Sequence, residues 1–202
     1  EMRGFFSNVG YLGDLFYNCK ALSSIPEGLF AYAENVYSLN GIFRNTGITA
    51  VPADMLGNMK ALTDVSGLFE EMTGLESIPA RFFSNCPNVA KIENFNGVFN
   101  GSGLKSIPAG LLKDCTGAKS FQYAFAGTPV TEIPENLFTT CKEVTDFYRV
   151  FAGTQIKTIP AKLFAGNKLV RSFNCAFQYC SNMESIPVSI FDENRRVTDF
   201  SG

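Results

Sequence analysis

The chain has 202 residues, with 17 Lys and Arg against 19 Asp and Glu and a net charge of −2. The charges are scattered, which excludes the basic footprint of a nucleic-acid binder; the one basic pair, Arg195-Arg196, is too small to make one. With no His anywhere, a histidine-based zinc site or acid–base catalyst is excluded, and no apolar run approaches the roughly 18 residues of a membrane-spanning helix.

In chain order, one small pattern keeps returning. An aliphatic residue is followed three positions later by an apolar one, then by Phe four or five further on, then by Cys, Thr or Asn. Phe5 and Phe6 read as a closing step, after which Val9, Leu12, Phe16 and Cys19 fit the first half-pattern. Leu22, Ile25 and Phe30 fit a second half opened by Pro26. Val36, Leu39, Phe43 and Thr46 start the next unit, and Leu62, Val65 and Phe69 the one after. A longer unit follows, with Val89 and Phe99. The regular form returns at Ala118, Phe121, Phe125 and Thr128, and is cleanest over residues 144–167, VTDFYRVFAGTQIKTIPAKLFAGN. Pro26, Pro52, Pro79, Pro108, Pro134, Pro160 and Pro187 keep the count, at spacings of 26, 27, 29, 26, 26 and 27.

Such a period decides the fold class before any single motif does. A unit of this size buries six or seven apolar side chains at about 1.5–3 kcal/mol each. Ordering its backbone costs about 1–2 kcal/mol per residue, which is more, so the units must stack. The segments Val144 to Phe147 and Ile156 to Ile159 are too short for helices and predict very short parallel strands. The Phe four or five residues on predicts a helical turn, opened by Pro in the second half. Asn45, Asn58, Asn85, Gly127, Gly153 and Gly166 are positioned to end that turn in the left-handed conformation. The expected fold is an α/β solenoid, a right-handed stack of about seven 26-residue coils with short parallel strands and single helical or 3₁₀ turns. At a strand spacing of about 4.8 Å the stack is roughly 35 Å long, one domain over residues 1–202. Both ends cut into a repeat, so the chain reads as a fragment of a longer polypeptide.

The segment Leu-x-x-Ile-Pro-x-x-Leu-Phe-x-x-Cys-x-x-Val resembles leucine-rich repeats. Val-Thr-x-Phe-x-x-Val-Phe-x-Gly-Thr-x-Ile is more similar to the BspA-like leucine-rich repeat surface proteins of bacteria, over essentially the whole chain. That resemblance implies a secreted, cell-surface location, with any anchor outside this segment, and a role in adhesion or recognition of a host or bacterial surface protein or glycan. The sequence departs from ordinary leucine-rich repeats in having two near-equivalent halves and Phe at the closing steps.

Chemistry-bearing residues mostly yield to the repeat. Cys86, Cys115 and Cys141 share one repeat position, and Cys19 and Cys180 its counterpart in the other half. Thr46, Ser102, Thr128, Thr154 and Asn167 occupy the same places, so the position wants a small, weakly polar group, and free buried thiols are expected. Neighbouring in-register side chains are also poorly aimed for a disulfide. The Phe residues read as core ladders, Glu70-Glu71 as solvated charge, and Asn100 to Gly103 as a coil turn. No cofactor, metal or catalytic group is expected, and the chain is read as a non-enzyme. One departure remains. The pair after the first half-strand is turn-like in Asn40-Gly41, Ser66-Gly67, Asn96-Gly97 and Ser201-Gly202, but becomes Gln122-Tyr123, Tyr148-Arg149 and Asn174-Cys175 in three successive coils. Stacking sets those pairs side by side, so Tyr123, Tyr148, Arg149 and Asn174 form the candidate binding patch. The favoured function is an extracellular interaction or adhesion module; the alternative is a structural spacer or stalk presenting another domain.

Overall fold

The structure is a computed structural model and describes residues 6–202. Seven consecutive parallel bridges run from Tyr11 through Ser38, Asp64, Asn94, Ser120, Asp146 and Ser172 to Asp199. Each is one rung of a ladder. The residue after one bridge donates its N–H to the bridge residue of the next coil, as Leu39 does to Asp64 at 3.0 Å; the residue before the next bridge donates back, as Thr63 does to Tyr37 at 2.9 Å. The strands stop there because their apolar ends, such as Val144 and Phe147, both turn into the core and are fully buried. On the other side of the coil Thr158 and Ser185 form the one bridge among the described residues. The first half-repeat therefore supplies the main sheet.

The expected helical turns take a different form. After the bridge, alternate N–H groups continue to the next coil while those between them close turns on their own coil. Phe95, Gly97, Phe99 and Gly101 donate to Ser120, Gln122, Ala124 and Ala126 at 3.1, 2.7, 2.9 and 2.8 Å; Val98, Asn100 and Ser102 donate to Phe95, Gly97 and Phe99 at 3.2, 3.0 and 3.0 Å. An α-helix needs unbroken bonds four residues back and negative φ throughout. Here φ is 60° at Gly97 and 65° at Gly101. The four-residue Phe spacing thus comes from paired tight turns. Helical structure among the described residues is limited to the 3₁₀ helices Phe82–Asn85 and Val89–Lys91. The second of these holds the extra residues of the long unit, and Ile92, not Val89, takes the buried rung position. Asn45, Gly127, Gly153 and Gly166 are left-handed as expected; Asn58 and Asn85 are not, and Asn85 lies in a 3₁₀ turn.

One hydrophobic cluster runs from Phe6 to Ile190. Within it Phe69, Phe99, Phe125, Phe151 and Phe177 stack with ring centroids 5.5–5.8 Å apart, and Phe16 stacks on Phe43 at 5.8 Å. The interior members are fully buried, while Phe16 and Phe177 are half-buried. Phe95, Phe121, Phe147, Phe173 and Phe200 form a parallel stack at 5.0–6.0 Å.

The small polar positions serve coil closure. Thr46, Thr128 and Thr154 donate to the carbonyl three residues back at 2.7–2.8 Å. The Cys180 thiol donates instead to Phe151 of the preceding coil at 3.1 Å, and Cys86 to Met59 at 3.4 Å. Asn167 places its amide on the Phe138 and Cys141 carbonyls at 3.0 and 2.8 Å. All six thiols are free, but burial is not uniform as expected: Cys19 is exposed and Cys175 half-buried. Cys19 belongs to the first described coil, and Cys175 occupies an outward turn.

Candidate functional site

The turn after each rung needs a residue with left-handed backbone, because its N–H must reach the next coil while the chain reverses. Gly41, Gly67 and Gly97 fill this position with φ of 59°, 58° and 60°. The next three coils place Tyr123, Arg149 and Cys175 there, at 57°, 53° and 55°. A left-handed residue with a Cβ costs about 1–2 kcal/mol, which the coil-to-coil bonds hold in place: Tyr123 to Tyr148 at 2.8 Å and Arg149 to Asn174 at 3.1 Å.

Those side chains meet. The Tyr123 and Tyr148 rings pack edge to face with centroids 5.1 Å apart, and the Arg149 guanidinium lies 5.8 Å from the first and 5.5 Å from the second. All three are half-buried. Tyr148 is oriented from below, its N–H bonded to the Asp146 carboxylate at 2.7 Å. A hydrogen bond with Tyr123, aided by burial, raises the Tyr148 phenol, and a hydrogen bond to Cys175 raises the Arg149 guanidinium. No carboxylate pairs with Arg149 among the described residues, whereas Arg44 is held by Glu70 and Glu71, each at 3.4 Å. Asn174 sits on the next rung, but its amide is engaged with Asp199 at 3.1 Å and Ser201 at 2.6 Å. The Ser201 hydroxyl and N–H, followed by the Asn174 amide, push the Asp199 carboxyl down to about 2.

The glycines make more than a turn possible. Where three successive left-handed positions are glycine, between Asp14 (φ 55°) in the first coil and Tyr123 in the fifth, the surface opens into a groove of about 530 Å³ running along five coils. Glu70, read from sequence as solvated charge, is half-buried in it, paired with Arg44 and accepting from Asn100 at 2.9 Å. Asn96 accepts from the Ser120 hydroxyl at 2.6 Å and from the Gln122 N–H at 2.9 Å. The signal was present in the Asn/Ser-Gly pairs, which read as turns and nothing more. Among the described residues no three His, Cys, Asp or Glu side chains gather as a metal site, and no helix is long and apolar enough to cross a membrane.

Residues 23–198 match, in six copies, the family described as BspA type leucine rich repeat region. No curated protein matches the sequence. The fold is shared with internalin C2 from Listeria monocytogenes, at a TM-score of 0.60 and 10% identity over 98% of this chain and 72% of that one. It is shared too with the Toll–Spatzle complex of Drosophila, at 0.62 and 17% identity over 88% of this chain. The glycosylated form of that complex gives 0.65 and 16% identity over 91% of this chain. Here the chain spans about a quarter of its counterpart, 24% in both forms.

Proposed function

Since the chain belongs to the BspA-type leucine-rich repeat family, a family of protein-interaction modules, we propose that it is a non-catalytic adhesion module displayed at the cell surface. One observation carries the reading: three successive coils abandon glycine at a left-handed position, and two of the replacements build the Tyr123–Tyr148–Arg149 cluster. A spacer gains nothing from that strain. A recognition surface gains two rings and a guanidinium with no carboxylate partner among the described residues, the residue types that most often anchor protein interfaces. Asn174 borders the patch and holds its neighbouring turn.

The test is retention of fluorescently labelled protein on cultured cells, with and without prior trypsin treatment of the cells. The wild type binds, and trypsin removes the signal. Tyr148→Ala with Arg149→Ala abolishes binding while the circular dichroism spectrum is unchanged. Undiminished binding of that double variant places the contact surface elsewhere on the solenoid.

A further inference from the structure

We propose that the glycine-opened groove is a second site, which binds a linear neutral oligosaccharide. Sugar hydroxyls each donate and accept, often in adjacent pairs, and the side chains that match them offer both functions side by side. The groove supplies these between neighbouring residues: the Asn96 amide N–H as donor and the Asn100 and Gln122 amide oxygens as acceptors, their other ends being bonded to Ser120, Glu70 and Asp146. The Glu70 carboxylate is a pure acceptor. The opposite requirement, a flat apolar surface for the C–H face of a ring, is met by Tyr123 at one end. Its ring is held upright by Tyr148 at 5.1 Å, and a tyrosine combines an apolar body with a polar tip.

Charge and backbone narrow the class further. Asp14 and Glu70 against Arg44 leave two negative groups facing one positive, which disfavours sulfated or sialylated chains. An added peptide strand needs free backbone groups along an edge. Here they are spent between coils, as in Gly67 to Asn96 at 2.8 Å and Gly97 to Gln122 at 2.7 Å. Five coils are four steps of about 4.8 Å, roughly 19 Å, the length of about three to four sugar rings. The polar groups recur at nearly the interval of the rings.

The experiment is saturation-transfer NMR on the intact chain with cellotetraose, maltotetraose, chitotetraose and mannotetraose, and a sulfated heparin tetrasaccharide as the charged comparison. At least one neutral chain receives saturation. Gly97→Tyr fills the groove and lowers that signal by about tenfold or more, equivalent to about 1.4 kcal/mol. The substitution is accommodated: the nearest atoms to a Cβ at Gly97 are Asn100 Cβ at 3.7 Å and Glu70 Oε2 at 4.0 Å, and Tyr123 already occupies the same backbone conformation one coil on. Tyr123→Gly, which installs the residue the earlier coils carry, removes the ring platform and weakens the same signal. Arg149→Ala, which removes the guanidinium of the patch and leaves the Tyr123–Tyr148 ring pair in place, reduces it far less than either, so loss of the adhesion patch and loss of the groove are told apart. No response to any neutral tetrasaccharide, a response to the sulfated one alone, or a neutral response that survives Gly97→Tyr in a folded protein overturns the assignment. So does a polypeptide that binds the wild type but not Gly97→Tyr, in the absence of a saccharide response.

Discussion

Phe151→Ala tests the register on which every other assignment depends. Phe151 is fully buried, stacked on Phe125 at 5.5 Å and Phe177 at 5.8 Å and tilted against Phe138 at 6.0 Å. Removing a buried Phe costs about 3–5 kcal/mol. Two face-stacked neighbours, at about 0.5–1.5 kcal/mol each beyond burial, favour the upper half of that range. Collapse around the cavity is resisted because both neighbouring coils are tied through the same segment, Phe125 to Val150 at 2.9 Å and Phe151 to Ala176 at 2.9 Å. The expected loss is about 4 kcal/mol, a large part of the 5–15 kcal/mol that ordinarily separates folded from unfolded chains. Urea unfolding followed by far-ultraviolet circular dichroism measures it, with Phe177→Ala as the comparison. Phe177 is half-buried with its one face-stacked neighbour at Phe151, so its loss should be roughly half as large. A cost below about 1 kcal/mol at Phe151, or a larger cost at Phe177 than at Phe151, would mean that the ring stack is wrongly placed.

At the left-handed turn, Arg149→Gly should be about 1 kcal/mol more stable than Arg149→Ala, because both lose the guanidinium and glycine alone relieves the backbone; equal midpoints in urea would refute a positive φ there. Asp199, pushed down to about 2 chiefly by the Ser201 hydroxyl and N–H, should titrate near that value by carbon-13 NMR. Ser201→Ala should move it up toward the ordinary value of about 3.9. Because its folded-state value is depressed, the stability it contributes is present above the unfolded carboxyl's value and lost as pH falls toward about 2. Burial raises Cys86, Cys115 and Cys180, and Cys141 to about 12. Iodoacetamide near pH 8 should therefore label Cys19 and Cys175 and spare the other four until urea is added, as read by intact mass; early labelling of Cys141 would contradict its burial. Omitting reductant should leave the unfolding curve unchanged.

The repeat made the fold legible because a coil that cannot stand alone must place its apolar residues identically in every copy. Val144, Phe147, Phe151 and Thr154 are buried as Ala118, Phe121, Phe125 and Thr128 are in the preceding coil, and the two threonines make the same bond three residues back. What the repeat concealed was backbone. Periodicity of Phe at four residues is shared by a helical turn and by two tight turns with an intervening left-handed residue. Side-chain spacing cannot separate them, because the deciding bonds run to the next coil. The same ambiguity displaced Val89 from the rung that Ile92 occupies: an aliphatic residue three after Cys86 fits the pattern, and only the 3₁₀ turn at Val89–Lys91 shows where the extra residues went. The cluster of Tyr123, Tyr148 and Arg149 was legible from register alone. Engagement of Asn174 by Asp199 was not, since it depends on side-chain direction across two coils.

The left-handed position links these observations. It is the place where the fold is most demanding of glycine, and a side chain there lies half-buried against its neighbours in adjoining coils, as Tyr123 and Arg149 do. Glycine therefore does two things at once in the early coils: it removes strain and leaves a groove. Tyr and Arg do the reverse in the later ones, accepting strain and raising a wall. Coil closure needs nothing from the side chain at this position and each replacement of glycine costs about 1–2 kcal/mol, a cost that Asp14 accepts in the first coil and Tyr123, Arg149 and Cys175 in the later ones. The change from Gly97 to Tyr123 and Arg149 within two coils thus marks a boundary between two surfaces, one concave and hydroxyl-matching, the other aromatic and cationic. Tyr123 belongs to both, as end wall of the groove and as first ring of the cluster. Ligands filling both surfaces at once would have to contact each other across that ring.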